Sequence, residues 1–272
     1  MYPEPFAFLG IHFIRSYGVT LAVSFLLGVF IALKRAKNKG ISPDQVIDLS
    51  FIVLLAALIG SRFFYVIYHV EEFSDNLLAI VNPFQADSVG ISGLSMMGGV
   101  ILSMLAAFAY FYFKKVNPWP LTDILAPLFL LGIGITRIGC FLNGCCFGLP
   151  TDCWCGVTFP YNSAAGYFFP DSSLLPTQLF ESAAGFILFF LILRSERFQK
   201  FSGHSFLLTM AAYSLWRFSI DFFRYYESSM IVMKIGEQNY SRNQLLSLII
   251  FTAAITGFVI FSIRSKRPQP DD

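Results

Sequence analysis

Seven apolar stretches, at about 17–33, 46–68, 94–113, 124–142, 175–193, 206–223 and 245–263, occupy most of this 272-residue chain. Each approaches the roughly 20 residues with which a helix crosses a bilayer core of about 30 Å. A strand of a membrane barrel would be about half as long and would alternate apolar with polar, so the stretches read as helices. Composition points the same way: 56% of residues are hydrophobic and 13% charged, whereas a soluble domain carries about 25% charged residues. The formal net charge is only +2, which argues against disorder and against the basic stripe of a nucleic-acid binder. The expected fold is all-α, a polytopic integral membrane protein of about seven transmembrane helices in one membrane-embedded domain over 1–272. The first stretch is expected to stay as an anchor, because its basic cluster follows the apolar run and no small-residue cleavage site is evident.

Orientation follows from the loops, since Lys and Arg are retained on the cytoplasmic side. Alternate connections hold Lys34, Arg35, Lys37 and Lys39, then Lys114 and Lys115, then Arg194, Arg197 and Lys200, then Arg264, Lys266 and Arg267. The loops after the second and fourth stretches contain no Lys or Arg, only acids such as Glu71, Glu72, Asp75, Asp87, Asp152 and Asp171. The N-terminus is therefore expected outside and the C-terminus inside.

Four further basic residues, Arg15, Arg62, Arg137 and Arg217, lie in or at the edge of apolar stretches. A charge at the bilayer centre costs at least about 2.5 to 3.5 kcal/mol, so an intramembrane Arg marks a candidate functional site. Snorkelling to the interface or pairing with an acid would also place an Arg there. The acids at comparable depth are Glu181 and Asp221, so cations outnumber them in the outer half. A guanidinium forks onto phosphate oxygens, and a phospholipid headgroup is the obvious anion in a membrane. Tyr213, Arg217 and Asp221 are spaced to share one helix face.

Gly132, Gly134, Gly139, Gly144 and Gly148 punctuate the end of the fourth stretch, either to let backbone approach a ligand or to pack helices closely. All five cysteines, Cys140, Cys145, Cys146, Cys153 and Cys155, fall in the same short region. On the outer side disulfides persist, and the leading expectation is a bridge between the 145/146 pair and the 153/155 pair. A soft-metal thiolate site and a reactive thiol are the alternatives; the spacing matches no C-x-x-C pattern, and no metal or cofactor is assigned. His12, His69 and His204 are scattered, and none is an evident central base.

The stretch GIGITRIGCFLNGCCFG, 132–148, resembles the signature of prolipoprotein diacylglyceryl transferases, G-x-G-x-G-R-x-G-N-F-x-N-G-E-x-W-G. The resemblance runs through nearly the whole chain in order. Arg15, Tyr17 and Gly18 resemble R-W-Y-G with Ser16 for Trp; Gly60, Arg62 and Tyr65 sit where G-G-R opens a segment ending in Tyr. SGLSMMGG (92–99) resembles G-G-M-S-F-H-G-G, DILAPL (123–128) resembles D-x-x-A-P, and PTQLFE (176–181) resembles P-S-Q-L-Y-E. Tyr213, Arg217, Asp221, Phe222, Phe223 and Arg224 resemble Y-x-x-x-R-F-x-x-E-F-F-R.

The resemblance implies a seven-helix enzyme of the bacterial cytoplasmic (inner) membrane with its active site toward the periplasm. It would move the diacylglyceryl group of phosphatidylglycerol onto the lipobox cysteine thiol of a prolipoprotein, forming a thioether and releasing glycerol phosphate. Arg137 and Arg217 would hold the phosphate, Tyr17 and Tyr213 would orient headgroup or ester oxygens, and Asn143, Gly144 and Gly148 would shape the turn beneath. Gln178 and Glu181 would line the lateral cleft, with Arg62 and Asp221 also at the substrate. A monomer is expected, with phosphatidylglycerol, the prolipoprotein signal peptide and membrane lipids as partners and no nucleic acid.

Three polar family positions differ here: the His after M-S-F is Met97, the Asn of R-x-G-N is Cys140, and the Glu of N-G-E is Cys145. Met neither takes a proton nor donates a hydrogen bond. If the incoming thiol needs that general base, either the arginines activate it, or the pocket serves another acceptor. Cys140 or Cys145, beside Arg137, would then be a candidate reactive thiol. A non-catalytic phospholipid binder and a membrane thiol-redox protein are the readings from other classes.

Overall fold

The structure, a computed structural model, describes residues 16–73, 80, 93–226, 230–235 and 238–265. His12, Arg15, Asp75, Asp87, Ser92, Lys266 and Arg267 lie outside the described residues. Eight helices appear among the described residues: α1 (Ser16–Asn38), α2 (Pro43–Tyr68), α3 (Met96–Lys114), α4 (Pro118–Asn143), α5 (Ala164–Phe168), α6 (Thr177–Ser195), α7 (His204–Ile220) and α8 (Arg242–Arg264). The strands are short: β1 (Val157–Thr158) pairs antiparallel with β2 (Ser173–Leu174), and β3 (Ile231–Ile235) with β4 (Gln238–Ser241).

All seven apolar stretches are helical, and among the described residues six helices are long and apolar enough to cross a membrane. The remaining stretch forms α7, 17 residues long, continued by a 3-10 turn over Asp221–Phe223. The helix surfaces are inverted relative to a soluble bundle. Phe63, Phe108, Leu26 and Phe190 are well over half exposed, whereas Gln178, Glu181, Gln244 and Asp123 are buried. Apolar side chains outside and satisfied polar groups inside are what a lipid solvent demands. The chain is an all-α polytopic membrane protein.

Contacts gather the described residues into two compact units, one within 15–31 and 122–272, the other within 32–121. In the second unit α2 starts at Pro43, with the Ser42 hydroxyl accepting from Asp44 N at 3.3 Å. α2 packs on α3 through glycine: a Cβ on Gly60 would meet the Gly98 carbonyl, and one on Gly98 would strike Phe64. Ser103 Oγ donates to Val53 O at 3.2 Å across the same contact. The G-G of SGLSMMGG is therefore helix packing.

In the first unit, a Cβ on Gly185 of α6 would stand 2.8 Å from Gly134 N and 2.9 Å from Leu130 O of α4. Ser182 Oγ donates to Gly134 O at 2.7 Å in the same place. Small residues at a membrane helix contact permit this approach, and the serine hydrogen bond reinforces it. A Cβ on Gly139 would collide with the Thr20 hydroxyl, so α1 meets α4 one turn further on. Asp123, fully buried in α4, accepts from Gly203 N at 2.7 Å, Phe206 N at 2.9 Å and Gln199 Nε2 at 2.8 Å. That carboxylate caps the first turn of α7, where free amides and the helix dipole favour an anion. At the start of α8, Ser241 and Gln244 form a capping box.

The segment between α4 and α6 is a small structured head. Phe147, Phe159, Ala165 and Leu174 form its core, with Phe141, Val157, Phe169 and Tyr225 packed against it. Gly148 N donates to Leu175 O at 2.9 Å and Leu149 N to Phe223 O at 3.0 Å, tying the head to the lead-in of α6 and the exit of α7.

Gly185→Val is expected to push α4 from α6 and to cost about 1–3 kcal/mol. Thermal unfolding in detergent micelles should show a midpoint several degrees lower; an unchanged midpoint would contradict the backbone contact.

Candidate active site

The close approach of α4 and α6 brings Arg137 to Glu181. Arg137 Nε lies 2.7 Å from Glu181 Oε2, and Nη2 donates to Oε1 at 3.2 Å, a bidentate pair. From α7, Arg217 Nη1 reaches the same Oε1 at 2.9 Å. Arg224, just beyond α7, places Nη1 3.8 Å from Oε2. The Glu181 side chain is wholly buried, and those of Arg137, Arg217 and Arg224 are 17%, 13% and 8% exposed.

Arg217 is held by further bonds. Its Nη2 lies 3.1 Å from Asp221 Oδ1, one helical turn on, and donates to Tyr226 Oη at 2.7 Å. Tyr226 Oη donates to Asp221 Oδ1 at 2.9 Å and accepts from Asn243 Nδ2 at 3.2 Å; Ser241 Oγ donates to Asp221 Oδ2 at 2.8 Å. Burial pushes the Tyr226 phenol above its ordinary value, against the pull of Arg224 and Arg217, so it stays protonated and able to donate to Asp221.

Three guanidinium charges thus meet two carboxylates, Glu181 and Asp221, leaving one positive charge in excess. Arg224 Nε is buried with no hydrogen-bond partner among the described residues. An unspent donor and an excess charge in a water-poor site favour an anionic ligand.

Arg137 is six residues from the end of α4 and Glu181 four from the start of α6, within about 10 Å of the helix ends at 1.5 Å per residue. Tyr213 faces the cluster from α7, within electrostatic reach of Glu181, Arg217, Arg137 and Arg224, and its ring meets Phe129 edge to face at 5.2 Å. Tyr17, 42% exposed in the first turn of α1, stands beside Arg137 and the cysteines. The structure therefore gathers Tyr17, Arg137, Glu181, Tyr213, Arg217 and Asp221 at one end of the first unit.

Asn143 ends α4 next to Cys145. Gly144 has φ +68°, and a Cβ there would meet the Ser163 side chain; one on Gly148 would meet the Leu175 and Phe223 carbonyls at 2.7 and 2.8 Å. Only glycine fits both constraints at 144. Gln178 is fully buried: its Nε2 donates to Cys145 O at 2.8 Å, and Thr177 Oγ1 donates to Cys146 O at 3.0 Å. Gln178 is thus a clamp on the turn, with its Oε1 buried and without a partner among the described residues.

Arg62 and Met97 belong to the other unit. Arg62 donates from Nε to Ile80 O at 3.0 Å and from Nη1 to Gly93 O at 3.1 Å, with its guanidinium 5.2 Å from the Phe73 ring centre. Met97 lies in the first turn of α3, 55% exposed.

The bridge expected between the two cysteine pairs is not made. Cys153 pairs with Cys155 within the head, while Cys140, Cys145 and Cys146 are free thiols. The physical reason is the turn after α4: Cys145 N donates to Cys140 O at 3.1 Å, folding the 145/146 pair back toward Cys140. Sequence reasoning left Arg224, Thr177, Tyr226, Ser241 and Asn243 out of the site. Arg224 stands in the F-F-R end of a quoted motif and Thr177 in PTQLFE; nothing local marks the other three.

Helices of this length and apolarity around a buried cluster of guanidiniums and carboxylates define a polytopic membrane protein with charge held inside it. Residues 4–260 match the sequence profile described as prolipoprotein diacylglyceryl transferase. The phosphatidylglycerol–prolipoprotein diacylglyceryl transferase of Clostridium botulinum is 34% identical over 219 residues, 80% of this chain and 84% of its own. Proteins of the same name from Clostridium tetani and Corynebacterium efficiens are 30% and 29% identical, each over 99% of this chain and over 100% and 84% of their own lengths. The chain belongs to the prolipoprotein diacylglyceryl transferase family.

Glu181→Ala would leave three buried guanidiniums facing one carboxylate, at a cost of about 3–5 kcal/mol. Chemical or thermal unfolding in micelles should show that loss; wild-type stability would mean that Glu181 is not the counter-ion of the cluster.

Proposed function

We propose that the arginine cluster around Glu181 is the active site at which this diacylglyceryl transferase moves the diacylglyceryl group of phosphatidylglycerol to the lipobox cysteine thiol of a prolipoprotein. The observation that carries this reading is the convergence of Arg137, Arg217 and Arg224 with one charge in excess of Glu181 and Asp221, in a chain of this family. The acceptor sulfur attacks the terminal glyceryl carbon. The carbon–oxygen bond to phosphate breaks, and its electron pair leaves on glycerol phosphate. The leaving phosphate gains negative charge as the bond opens, and preorganised cations stabilise charge that develops in the transition state.

Arg137 and Arg217 hold the phosphate, with Arg224 beside them. Tyr17 and Tyr213 orient headgroup or ester oxygens. Asn143, Gly144 and Gly148 form the turn under the reacting centre, Gln178 fixes that turn, and Glu181 and Asp221 aim the guanidiniums. Arg62 binds substrate, as the resemblance implies, and Met97 stands at the position where the family pattern has its His. In this reading the chain is a monomer with seven spans in the cytoplasmic membrane of a bacterium, its N-terminus outside, its C-terminus inside and its active site toward the periplasm. The one-sided Lys and Arg loops support that orientation.

Purified protein with phosphatidylglycerol and a lipobox peptide should release glycerol phosphate and add the diacylglyceryl mass to the peptide. Arg137→Ala should lower the rate by about 10²–10³-fold, the effect of losing one preorganised donor to a developing oxyanion. No modified peptide, or a variant as fast as wild type, would overturn the assignment.

A further inference from the structure

Cys140 and Cys145, at family positions that are otherwise polar, and the adjacent Cys146 are not absorbed by the arginine chemistry. The sulfurs of Cys140, Cys145 and Cys146 all lie within 4.8 Å of one another. Thiolates bound tetrahedrally to zinc at about 2.3 Å stand about 3.8 Å apart, and rotation about the Cα–Cβ bonds covers the difference. Cys140 is buried and the other two are half-buried, so the cluster is largely screened from bulk water.

The backbone is arranged around the three sulfurs. Cys146 has φ +61°, a conformation that costs a non-glycine residue of order 1 kcal/mol or more and that collects at functional sites. Gln178 and Thr177 hold the carbonyls of Cys145 and Cys146 at 2.8 and 3.0 Å, so the strained turn is locked from α6. Arg137 Nη1 approaches Cys140 Sγ at 3.9 Å. Three thiolates and a divalent cation carry one negative charge together, less than the three charges the thiolates would carry without the ion.

We propose that Cys140, Cys145 and Cys146 form a three-thiolate zinc site whose open fourth position takes the thiol of the acceptor cysteine. Three protein ligands with one free position is the arrangement of catalytic rather than structural zinc, and a thiol that coordinates such an ion is deprotonated outright. This inference rests on the transferase reading and supplies what Met97 cannot: a way to make the acceptor thiolate without a histidine base. On ligation the acceptor S–H proton passes to water. The sulfur lone pair then forms the carbon–sulfur bond while the carbon–oxygen bond breaks, and glycerol phosphate departs with that electron pair. The thioether is a poor ligand and leaves; the ion does not change oxidation state.

The test uses the full chain in detergent under a non-thiol reductant. Zinc content is measured by elemental mass spectrometry, and cobalt(II) is loaded as a spectroscopic stand-in. We expect one zinc per chain, lost in Cys140→Ser and in Cys146→Ser but kept in the Cys153→Ser/Cys155→Ser double variant. Cobalt-loaded protein should show thiolate-to-metal charge-transfer bands, and adding a lipobox peptide should shift its ligand-field bands, whereas the peptide with serine for its cysteine should not. Chelated protein should lose at least tenfold in transfer rate and regain it with zinc. Absence of stoichiometric zinc and of cobalt–thiolate bands, binding of monovalent copper alone, or full transfer by chelated protein would overturn the zinc site and leave the transferase reading standing. A metal site that takes the peptide thiol while no diacylglyceryl is transferred would uphold the zinc site and overturn the transferase reading.

Discussion

Glu181 is the point on which this site is built. It is a carboxylate with no exposed side-chain surface, and on its own it would be among the costliest groups to place in a membrane helix. Two of its arginines, Arg137 and Arg217, reach it from α4 and from α7, and the third, Arg224, from the chain just beyond α7. Each guanidinium likewise depends on the carboxylate, with Asp221 as a second partner for Arg217. Removing one partner from such a set leaves an uncompensated buried charge, a larger loss than the net worth of the pairing. The set therefore stands or falls together, which keeps several cations fixed inside a membrane protein.

Close helix contact makes the pairing possible. Gly134 and Gly185 let α4 and α6 touch backbone to backbone, and Ser182 donates across the contact. Glu181 sits beside that serine and Arg137 lies one turn beyond Gly134, so the bidentate geometry follows from the packing. Asp123, near the other end of α4, caps α7 and holds the helix that carries Arg217. The head between α4 and α6 closes the arrangement by pairing Gly148 with Arg224 and stacking Phe147 on Tyr225.

Much of this was legible in the residues. The apolar stretches are helices because 20-residue apolar runs leave the backbone no other way to satisfy itself in lipid. Arg137, Arg217, Tyr213 and Asp221 were marked by charge inside apolar segments and by four-residue spacing. Glu181 was expected to line a cleft; its place as a shared counter-ion depends on how α4 and α6 cross, which no single segment encodes. Tyr226, Ser241 and Asn243 were invisible for the same reason, since they reach the site only because the chain returns after α7 to begin α8. The cysteine pairing differs from the spacing-based expectation because it depends on the turn after α4. That turn curls the 145/146 pair back onto Cys140 and leaves Cys153 to pair with Cys155.

The central claim is that the excess guanidinium charge around Glu181 selects an anionic phospholipid headgroup. Native mass spectrometry of the protein released from micelles holding equal amounts of phosphatidylglycerol and phosphatidylcholine tests it directly. The account predicts one retained phosphatidylglycerol in strong preference to phosphatidylcholine, with the preference lost in Arg217→Gln. Equal retention of the two lipids, or a preference that survives in the variant, would contradict it.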